Sequence, residues 1–352
     1  MQFRGGSSKG VYFLAADLPA DESERNELLL DAMGRDARQI DGLGGADPLT
    51  SKVAIVSLSA RADADIDFLF VQVEVGKNRV DTTPNCGNLL AGVGAFALEA
   101  GLLKAASPVT MVTVNMVNSG KLCELELCTP DGVLEYEGDA KIDGVPGTAA
   151  PVICNYLDVA GAICGCLFPT GKLLDVVDGI DITCIDNGMP VVVLRAADFG
   201  ISGYESPQEL NANETLKKKL ESIRLQAGPM MNLGDVAKKA VPKMSLVSPA
   251  TQGGLINTRT FVPHVCHAAV GVLGAVSVAT ACIASGTVTD KLVQPPPGKV
   301  KQLSVEHPSG EFSISLHVNE EGDLPVVEKA GVLRTTRLLS KGELYVPARG
   351  IG

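Results

Sequence analysis

The sequence is poor in aromatic residues and in positive charge. It has no tryptophan, 4% of its residues are aromatic, and 30 Lys and Arg stand against 41 Asp and Glu, a formal net charge of −11. Proteins that bind nucleic acids neutralise phosphates with basic patches and stack bases on aromatic rings. The composition therefore predicts that nucleic acid is not a partner. An anionic small molecule would have to be attracted by local groups, against the field of the whole chain.

The sequence also lacks the marks of a secreted or membrane protein. Nine cysteines, an odd number, and no apolar leading segment argue against a disulfide scaffold and favour reduced thiols in the cytoplasm. One uncharged stretch, 268–286, is about as long as a membrane span. Its Ala, Gly, Val, Ser and Thr are more typical of a close-packed buried helix, with a transmembrane span as the minor alternative. We expect no membrane partner.

Motifs for metals and nucleotides are scarce. The chain has four histidines, and the segment 264–267 (His-Val-Cys-His) is tightly spaced and has no Cys-x-x-Cys pair elsewhere to complete a zinc site. The glycine-rich run 41–45 is followed by a strand pattern rather than by a helix, so it lacks the context of a nucleotide-phosphate loop. These residues predict neither a zinc site nor a nucleotide site.

What the sequence does contain is an internal repeat. Two nearly apolar helix patterns and two turn motifs recur in the same order, at offsets of 178 to 180 residues. The paired landmarks are Pro84 and Pro263, Cys86 and Cys266, and Pro130 and Pro308. A common offset favours a duplicated unit. A helix that is apolar on all faces is buried only if a sheet wraps around it.

These observations predict an α+β fold of two similar halves, in line with about two domains for 352 residues. We predict an N-terminal domain over 1–144, whose central helix begins at Cys86. A C-terminal domain follows over 145–335, and its central helix begins at about His264. A C-terminal strand within 336–352 is expected to pack back onto the first domain.

The strongest local signal for chemistry is a cysteine at the start of the first apolar helix, in the motif Asn85-Cys86-Gly87-Asn88. The first amides of a helix lack partners and carry partial positive charge, and a thiol there ionises more readily. Glycine lets a ligand approach the backbone, so such a site can hold a carboxylate and stabilise an enolate. A small buried cysteine without chemistry fits the same pattern.

Lys52 is the second candidate, at the head of the apolar strand pattern 52–56 and directly after Ser51. A lysine that points into a cleft loses solvation and becomes a usable base, whereas a lysine that faces solvent at a strand end has no such role. Arg259 and His264 are weaker candidates for contacts to substrate carboxylates, with structural pairing as the alternative. The residues alone leave these choices open.

Several blocks together resemble the PrpF family, whose fold is similar to that of diaminopimelate epimerase. The resemblance covers nearly the whole chain and is more specific than any single motif. It is carried by residues 4–10 (Arg-Gly-Gly-Ser-Ser-Lys-Gly), 41–47, 50–52, 85–88, 180–194, 223–236 and 261–282.

The resemblance implies two pseudo-symmetric domains, each a β-barrel-like sheet around a central helix, and a reaction without a cofactor. It assigns the base to Lys52 and the helix-start thiol to Cys86. Diaminopimelate epimerase has a second catalytic cysteine at its second helix, but residues 264–267 lack the Cys-Gly-Ser/Thr pattern. This argues against a two-thiol racemase. The residues expected to contact substrate are Ser7, Ser8, Ser51, Asn85, Gly87, Asn88, Arg259 and His264.

Members of the PrpF family isomerise unsaturated tricarboxylates, so the resemblance implies a proton shift in a keto–enol or 1,3-allylic system. The expected substrate is 4-oxalomesaconate of gallate breakdown, with 2-methylaconitate and methylitaconate as alternatives. A non-catalytic polycarboxylate-binding protein, or an accessory protein of an aconitase, is the alternative from another class. The remaining expected partner is a second copy of the chain in a homodimer.

Overall fold

The computed structural model describes residues 1–157, 159–319 and 326–347. Within them the chain forms two compact units. Unit 1 is Met1–Tyr156 with the described residues from Leu333 onward, and unit 2 is the described part of Leu157–Val332. The predicted boundary after residue 144 therefore falls before the last strand of the N-terminal segment, and the predicted end at 335 lies three residues beyond Val332.

The strands of unit 1 are β1 (Gln2–Gly5), β2 (Ser8–Leu14), β3 (Lys52–Leu58), β4 (Ile66–Val73), β5 (Val80–Asp81), β6 (Val109–Met116), β7 (Lys121–Cys128) and β8 (Pro151–Tyr156), and its helices are α1 (Glu22–Met33) and α2 (Gly87–Glu99). The strands of unit 2 are β9 (Asp175–Val177), β10 (Ile180–Asp186), β11 (Pro190–Arg195), β12 (Lys243–Pro249), β13 (Ile256–Phe261), β14 (Val300–His307) and β15 (Gly310–Asn319), and its helices are α3 (Pro207–Ala212), α4 (Glu214–Met230) and α5 (Val272–Ile283). The last strand, β16 (Val326–Ser340), passes from unit 2 into unit 1.

The C-terminal strand predicted within 336–352 is part of β16. It ends at Ser340, and residues 341–347 form no strand. Residues 348–352 of that prediction lie outside the described residues. The part of β16 that belongs to unit 1 pairs with β1.

Eight strands of unit 1 close into a barrel. Their order is β1-β2-β3-β4-β6-β7-β8-β16, and β1 pairs again with β16, with Phe3 opposite Leu338 and Gly5 opposite Thr336. Two neighbouring pairs, β2 with β3 and β4 with β6, are parallel. Closure satisfies the backbone groups of both edges of the sheet.

Helix α2 lies inside this barrel, as its composition requires. All its residues from Leu89 to Ala97 are buried, and it packs against β1, β2, β3, β4, β6, β7 and β8. Glycine at position 92 permits close packing, because a Cβ there would lie 2.5 Å from the hydroxyl oxygen of Tyr12. The rings of Tyr12 and Phe96 pack together with their centroids 5.7 Å apart. The predicted arrangement of a sheet around an all-apolar helix is confirmed.

Unit 2 repeats the pairing pattern of unit 1. Its strands follow the order β9 to β16, and the parallel pairs β11–β12 and β13–β14 correspond to β2–β3 and β4–β6. Helix α5 is buried from Gly274 to Cys282 and packs on β10, β11, β14 and β15. The predicted α+β fold of two similar halves is confirmed. Among the described residues, no helix is long and apolar enough to span a membrane.

The second central helix begins later than predicted. Its N-cap is Gly271 and its first residue is Val272, eight residues after His264. The segment 264–267 instead pairs with neighbouring elements: the Cys266 amide donates to Asn211 Oδ1 at 2.7 Å, and the His267 amide donates to the Thr260 carbonyl at 2.8 Å. These contacts and the bridge between Phe261 and Cys266 hold the segment in a turn that folds back toward β13, outside helix α5.

One landmark of the repeat is also different from the prediction. Pro130, which the sequence pairs with Pro308 as a turn landmark, lies in a short 3₁₀ turn after β7, whereas Pro308 lies in a hairpin turn. The hairpin of unit 1 joins β6 to β7 through residues 117–120, and its counterpart joins β14 to β15 through Pro308 and Ser309. From the first residues of β6 and β14, 300 − 109, the structural offset is 191 residues. The agreement of Pro130 with Pro308 was therefore fortuitous, although the duplication is real.

Candidate active site

Lys52 is held at the head of β3, between β2 and β4, where Gly10 and Gln72 lie opposite it. Because strands flank it on both sides, the residue is only 9% exposed. Its Nζ donates to Gln72 Oε1 at 3.1 Å, lies 3.7 Å from Cys86 Sγ, and stands 5.0 Å from the centroid of the Phe70 ring. None of these three partners is a carboxylate.

Gln72 is oriented by the backbone around it. Its Nε2 donates to the carbonyls of Pro48, Ser51 and Val73 at 3.1, 3.0 and 3.3 Å. Since the nitrogen faces these three oxygens, Oε1 must face Lys52. Sequence reasoning missed this residue, because the strand register that sets Gln72 opposite Lys52 depends on a hairpin whose turn was not identified.

Cys86 is the N-cap of α2. Its backbone is extended (φ −132°, ψ 97°), and its Sγ accepts from the Leu89 amide at 3.5 Å. The residue is 8% exposed. The sulfur therefore lies between the Lys52 amine and the first turn of α2, whose amides carry partial positive charge. Both neighbours offer N–H donors to a negatively charged group of a ligand at this point.

A hydroxyl cluster adjoins the same helix start. Asn88 Nδ2 lies 3.2 Å from Ser7 Oγ and 3.2 Å from Ser8 Oγ. The turn between β1 and β2 reaches Asn88 only through Gly6, which has φ +52° and where a Cβ would be 2.3 Å from Asn88 Oδ1. The structure thus brings Ser7, Ser8 and Asn88 to the end of α2 that carries Cys86 and Gly87.

Two other predicted residues of unit 1 are placed differently. Asn85 precedes the N-cap and is exposed. Ser51 is fully buried, and its Oγ donates to Gln39 Oε1 at 2.6 Å. Its hydroxyl is therefore engaged within the fold, and its contribution to the Lys52 site is the carbonyl that orients Gln72.

Arg259 and His264 belong to unit 2 and contact groups of that unit. Arg259 donates to the Glu205 carbonyl at 2.7 Å, to Asn257 Oδ1 at 2.9 Å and to the Thr258 carbonyl at 2.8 Å. Burial lowers the pKa of Arg259 from its usual value. His264 is exposed, and its Nδ1 lies 3.5 Å from Glu221 Oε2. These contacts fit the structural pairing that was the alternative for both residues.

A second cation of unit 1 was not predicted. Arg334, on β16, is 5% exposed, and its Nη1 donates to the Leu333 carbonyl at 2.8 Å. Burial lowers the pKa of Arg334, while interactions with Tyr156, Cys154 and Cys86 oppose this effect. The Arg334 guanidinium therefore interacts electrostatically with Cys86. No sequence signal pointed to it, since some 250 residues separate it from Cys86 along the chain.

Comparisons with known proteins agree on one family. The model of the PrpF protein family matches residues 1–347. The chain is 55% identical to a 4-oxalomesaconate tautomerase of Pseudomonas putida over 344 residues, 97% of this chain and 94% of the relative. It is 53% identical to a (4E)-oxalomesaconate Delta-isomerase of Novosphingobium sp., covering 98% and 96%. A 3-methylitaconate isomerase of Eubacterium barkeri is 35% identical, covering 97% and 95%.

One solved structure is similar over nearly its whole length. The crystal structure of a methylitaconate-delta-isomerase superposes with a TM-score of 0.87 at 33% identity, covering 98% of this chain and 94% of that one. The fold described above is therefore that of an experimentally determined protein.

Proposed function

The chain belongs to the PrpF family, and we propose that it is a cofactor-independent isomerase of unsaturated tricarboxylates. The proposed substrate is 4-oxalomesaconate, after the names of the Pseudomonas putida and Novosphingobium relatives. Identities of 55% and 53% to those proteins, against 35% to a 3-methylitaconate isomerase, support this choice over methylitaconate.

The observation that carries the proposal is the contact between Lys52 and Cys86. An amine and a thiol 3.7 Å apart, both nearly buried at a helix N-terminus, provide two proton carriers beside an anion-stabilising dipole. A binding protein needs neither carrier. A proton-shifting enzyme needs at least one base and a means of stabilising the enolate that forms.

The proposed reaction proceeds in two proton transfers. The free amine of Lys52 takes a proton from a carbon next to the substrate carbonyl, and the C–H electron pair moves into the conjugated system to give a dienolate. Its negative charge is stabilised by the first amides of α2. A proton then returns to the other end of the conjugated system, on oxygen or carbon, so that the net change is a shift of one proton and one double bond.

Two roles for Cys86 are consistent with the geometry. Its thiol delivers the second proton and is recharged by the Lys52 ammonium across 3.7 Å, or the sulfur only positions that amine. The variants Cys86→Ser and Cys86→Ala separate these roles. If the thiol donates the proton, both lose about 10²–10⁴-fold in kcat, whereas a positioning sulfur is partly replaced by the serine hydroxyl.

An anionic substrate must be held despite the net charge of −11. In unit 1, the positive groups near Cys86 are Lys52, Arg334 and the amides that begin α2. The hydroxyls of Ser7 and Ser8, gathered by Asn88, offer donors to a second carboxylate. We propose that these groups together bind the tricarboxylate.

The test is an ultraviolet assay of the purified protein on 4-oxalomesaconate, 2-methylaconitate, methylitaconate and aconitate side by side. We expect the highest kcat/KM on 4-oxalomesaconate, and loss of that activity in Lys52→Met. A preference for 2-methylaconitate or methylitaconate would reassign the substrate. Binding of all four without turnover would favour the non-catalytic alternative, and near-normal turnover by Lys52→Met would refute the assignment of the base.

We further propose a cytoplasmic location and a role in gallate breakdown. All nine cysteines are free thiols, which supports a reducing compartment. The homodimer and the lack of a cofactor stay predictions. Mass measurement in solution and turnover after exhaustive dialysis against a chelator test them.

A further inference from the structure

Tyr156, the last residue of β8, places its hydroxyl against the beginning of α2. A Cβ added to Gly87 would lie 2.6 Å from the Tyr156 hydroxyl oxygen and 4.0 Å from the ring carbon that carries it. Gly87 is the first residue of α2, directly after Cys86. The phenol therefore points at the helix start beside the thiol, and only glycine at position 87 leaves room for it.

This hydroxyl has no partner within the described part of the chain. Tyr156 is only 6% exposed, yet no hydrogen bond joins its oxygen to another described residue. Buried phenols normally find a partner. Tyr12, which packs against the same helix, does so: its hydroxyl donates to the Leu89 carbonyl at 2.5 Å. Tyr156 thus presents an unused donor at the helix start.

The phenol keeps its proton at any working pH. Burial raises the pKa of Tyr156 well above its usual value. It is therefore a hydrogen-bond donor and not a base. The amides of Gly87 and Asn88 likewise have no acceptor in the described chain, because the first amides of a helix have no intrahelical partner and the Cys86 sulfur accepts from Leu89 instead.

We propose that Tyr156 is a further catalytic residue, whose O–H, with the amides of Gly87 and Asn88, binds the substrate oxygen that gains negative charge when Lys52 removes the proton. This inference rests on the proposed isomerase function. No proton is transferred in the step: the phenol and both amides keep theirs and shorten their hydrogen bonds as charge accumulates on the oxygen. The phenol lies at the helix start that carries both amides, so the three donors can stabilise an oxyanion there.

The first test compares two conservative variants of buried tyrosines that pack on α2. Tyr156→Phe removes the proposed donor, and we expect kcat to fall about 10²-fold, the usual effect of losing one oxyanion donor, with a much smaller change in KM. Tyr12→Phe removes only a structural hydrogen bond, so it should lower the melting temperature and leave kcat near the wild-type value. The proposal would be overturned if the kcat of Tyr156→Phe stayed within twofold of wild type, or if the substitution raised KM and left kcat unchanged.

The second test examines the placement of the hydroxyl without using activity. Gly87→Ala should lower the melting temperature in the wild-type background, because its Cβ meets the Tyr156 oxygen. In the Tyr156→Phe background the nearest ring atom is 4.0 Å away, so the same alanine should be tolerated. If Gly87→Ala lowers the melting temperature equally in both backgrounds, the placement of the Tyr156 hydroxyl is refuted. If the wild type turns over none of the four tricarboxylates, the proposed function fails, and with it the catalytic role of Tyr156. The melting temperatures of the Gly87→Ala variants in the two backgrounds still test where the hydroxyl lies.

Discussion

Replacing Gln72 with glutamate converts a neutral partner of Lys52 into a charged one of the same shape. The wild-type amide oxygen accepts from Lys52 Nζ at 3.1 Å. A carboxylate oxygen at that position would form an ion pair with the ammonium in a setting that is mostly removed from water. A base must be unprotonated to act, and the carboxylate stabilises the protonated amine, so the change opposes catalysis at low pH.

The size of the effect follows from the distance. Two unit charges 3.1 Å apart interact by about 5 kcal/mol at an effective dielectric constant of about 20. Loss of the three hydrogen bonds that the Gln72 nitrogen donates, about 1 kcal/mol each, weakens the fold equally in both protonation states of Lys52 and does not move the profile. One pH unit is about 1.4 kcal/mol, so even half of the charge interaction moves the profile by more than one unit.

The assay is the pH dependence of kcat/KM for wild type and Gln72→Glu. We expect the rising limb to move to higher pH by about one to two units, with activity largely recovered on the alkaline side. Gln208→Glu, an exposed position on α3 of unit 2, makes the same change in net charge and should leave the profile in place. A rising limb that is the same in Gln72→Glu and wild type would show that Lys52 is not the base, or that it does not contact Gln72.

Three further changes have distinct expected outcomes. Ser51→Ala removes the buried hydrogen bond to Gln39, so it should lower the free energy of unfolding by about 1–2 kcal/mol in urea titrations. Its loss of kcat/KM should be smaller than that of Lys52→Met. A loss of activity without a loss of stability would instead make the Ser51 hydroxyl a substrate ligand. Gly6→Ala forces a side chain into a left-handed conformation against Asn88, so it should cost about 1–2 kcal/mol or more of stability and also lower activity; an unchanged melting temperature would contradict the turn geometry. Arg334→Met should lower kcat/KM and reduce the change in kcat/KM between low and high ionic strength. A salt dependence equal to that of the wild type would show that Arg334 does not attract the substrate.

The part of the site that could be predicted from sequence is the part that is local in the chain. Cys86 is a helix N-cap because Pro84 and Asn85 precede it and an apolar run follows, all within a few residues. The same apolar run predicts that α2 is surrounded by a sheet, which the barrel of unit 1 confirms. Lys52 could be placed at a strand head, although its orientation toward Cys86 could not.

The rest depends on register and on closure of the barrel. Gln72 faces Lys52 only because β3 and β4 pair with one particular alignment. Tyr156 approaches the start of α2, and Arg334 interacts electrostatically with Cys86, from strands that are distant in sequence. The start of α5 was misplaced for a related reason. The segment after Pro263 carries helix-start residues, but it folds back toward β13, and the Cys266 amide donates to Asn211, which is remote in the chain. Such non-local partners leave no periodic signal in the sequence.

The proposed proton shift is tested most directly by the exchange of substrate carbon-bound hydrogen with solvent. Purified protein is incubated in deuterium oxide with 4-oxalomesaconate, and deuterium at the carbon next to the carbonyl is followed by mass spectrometry after correction for the uncatalysed rate. If Lys52 is the base, the wild type incorporates deuterium during turnover and Lys52→Met does not exceed the uncatalysed rate. Incorporation by Lys52→Met at the wild-type rate, or none by the wild type above the uncatalysed rate, would contradict the proposed proton shift.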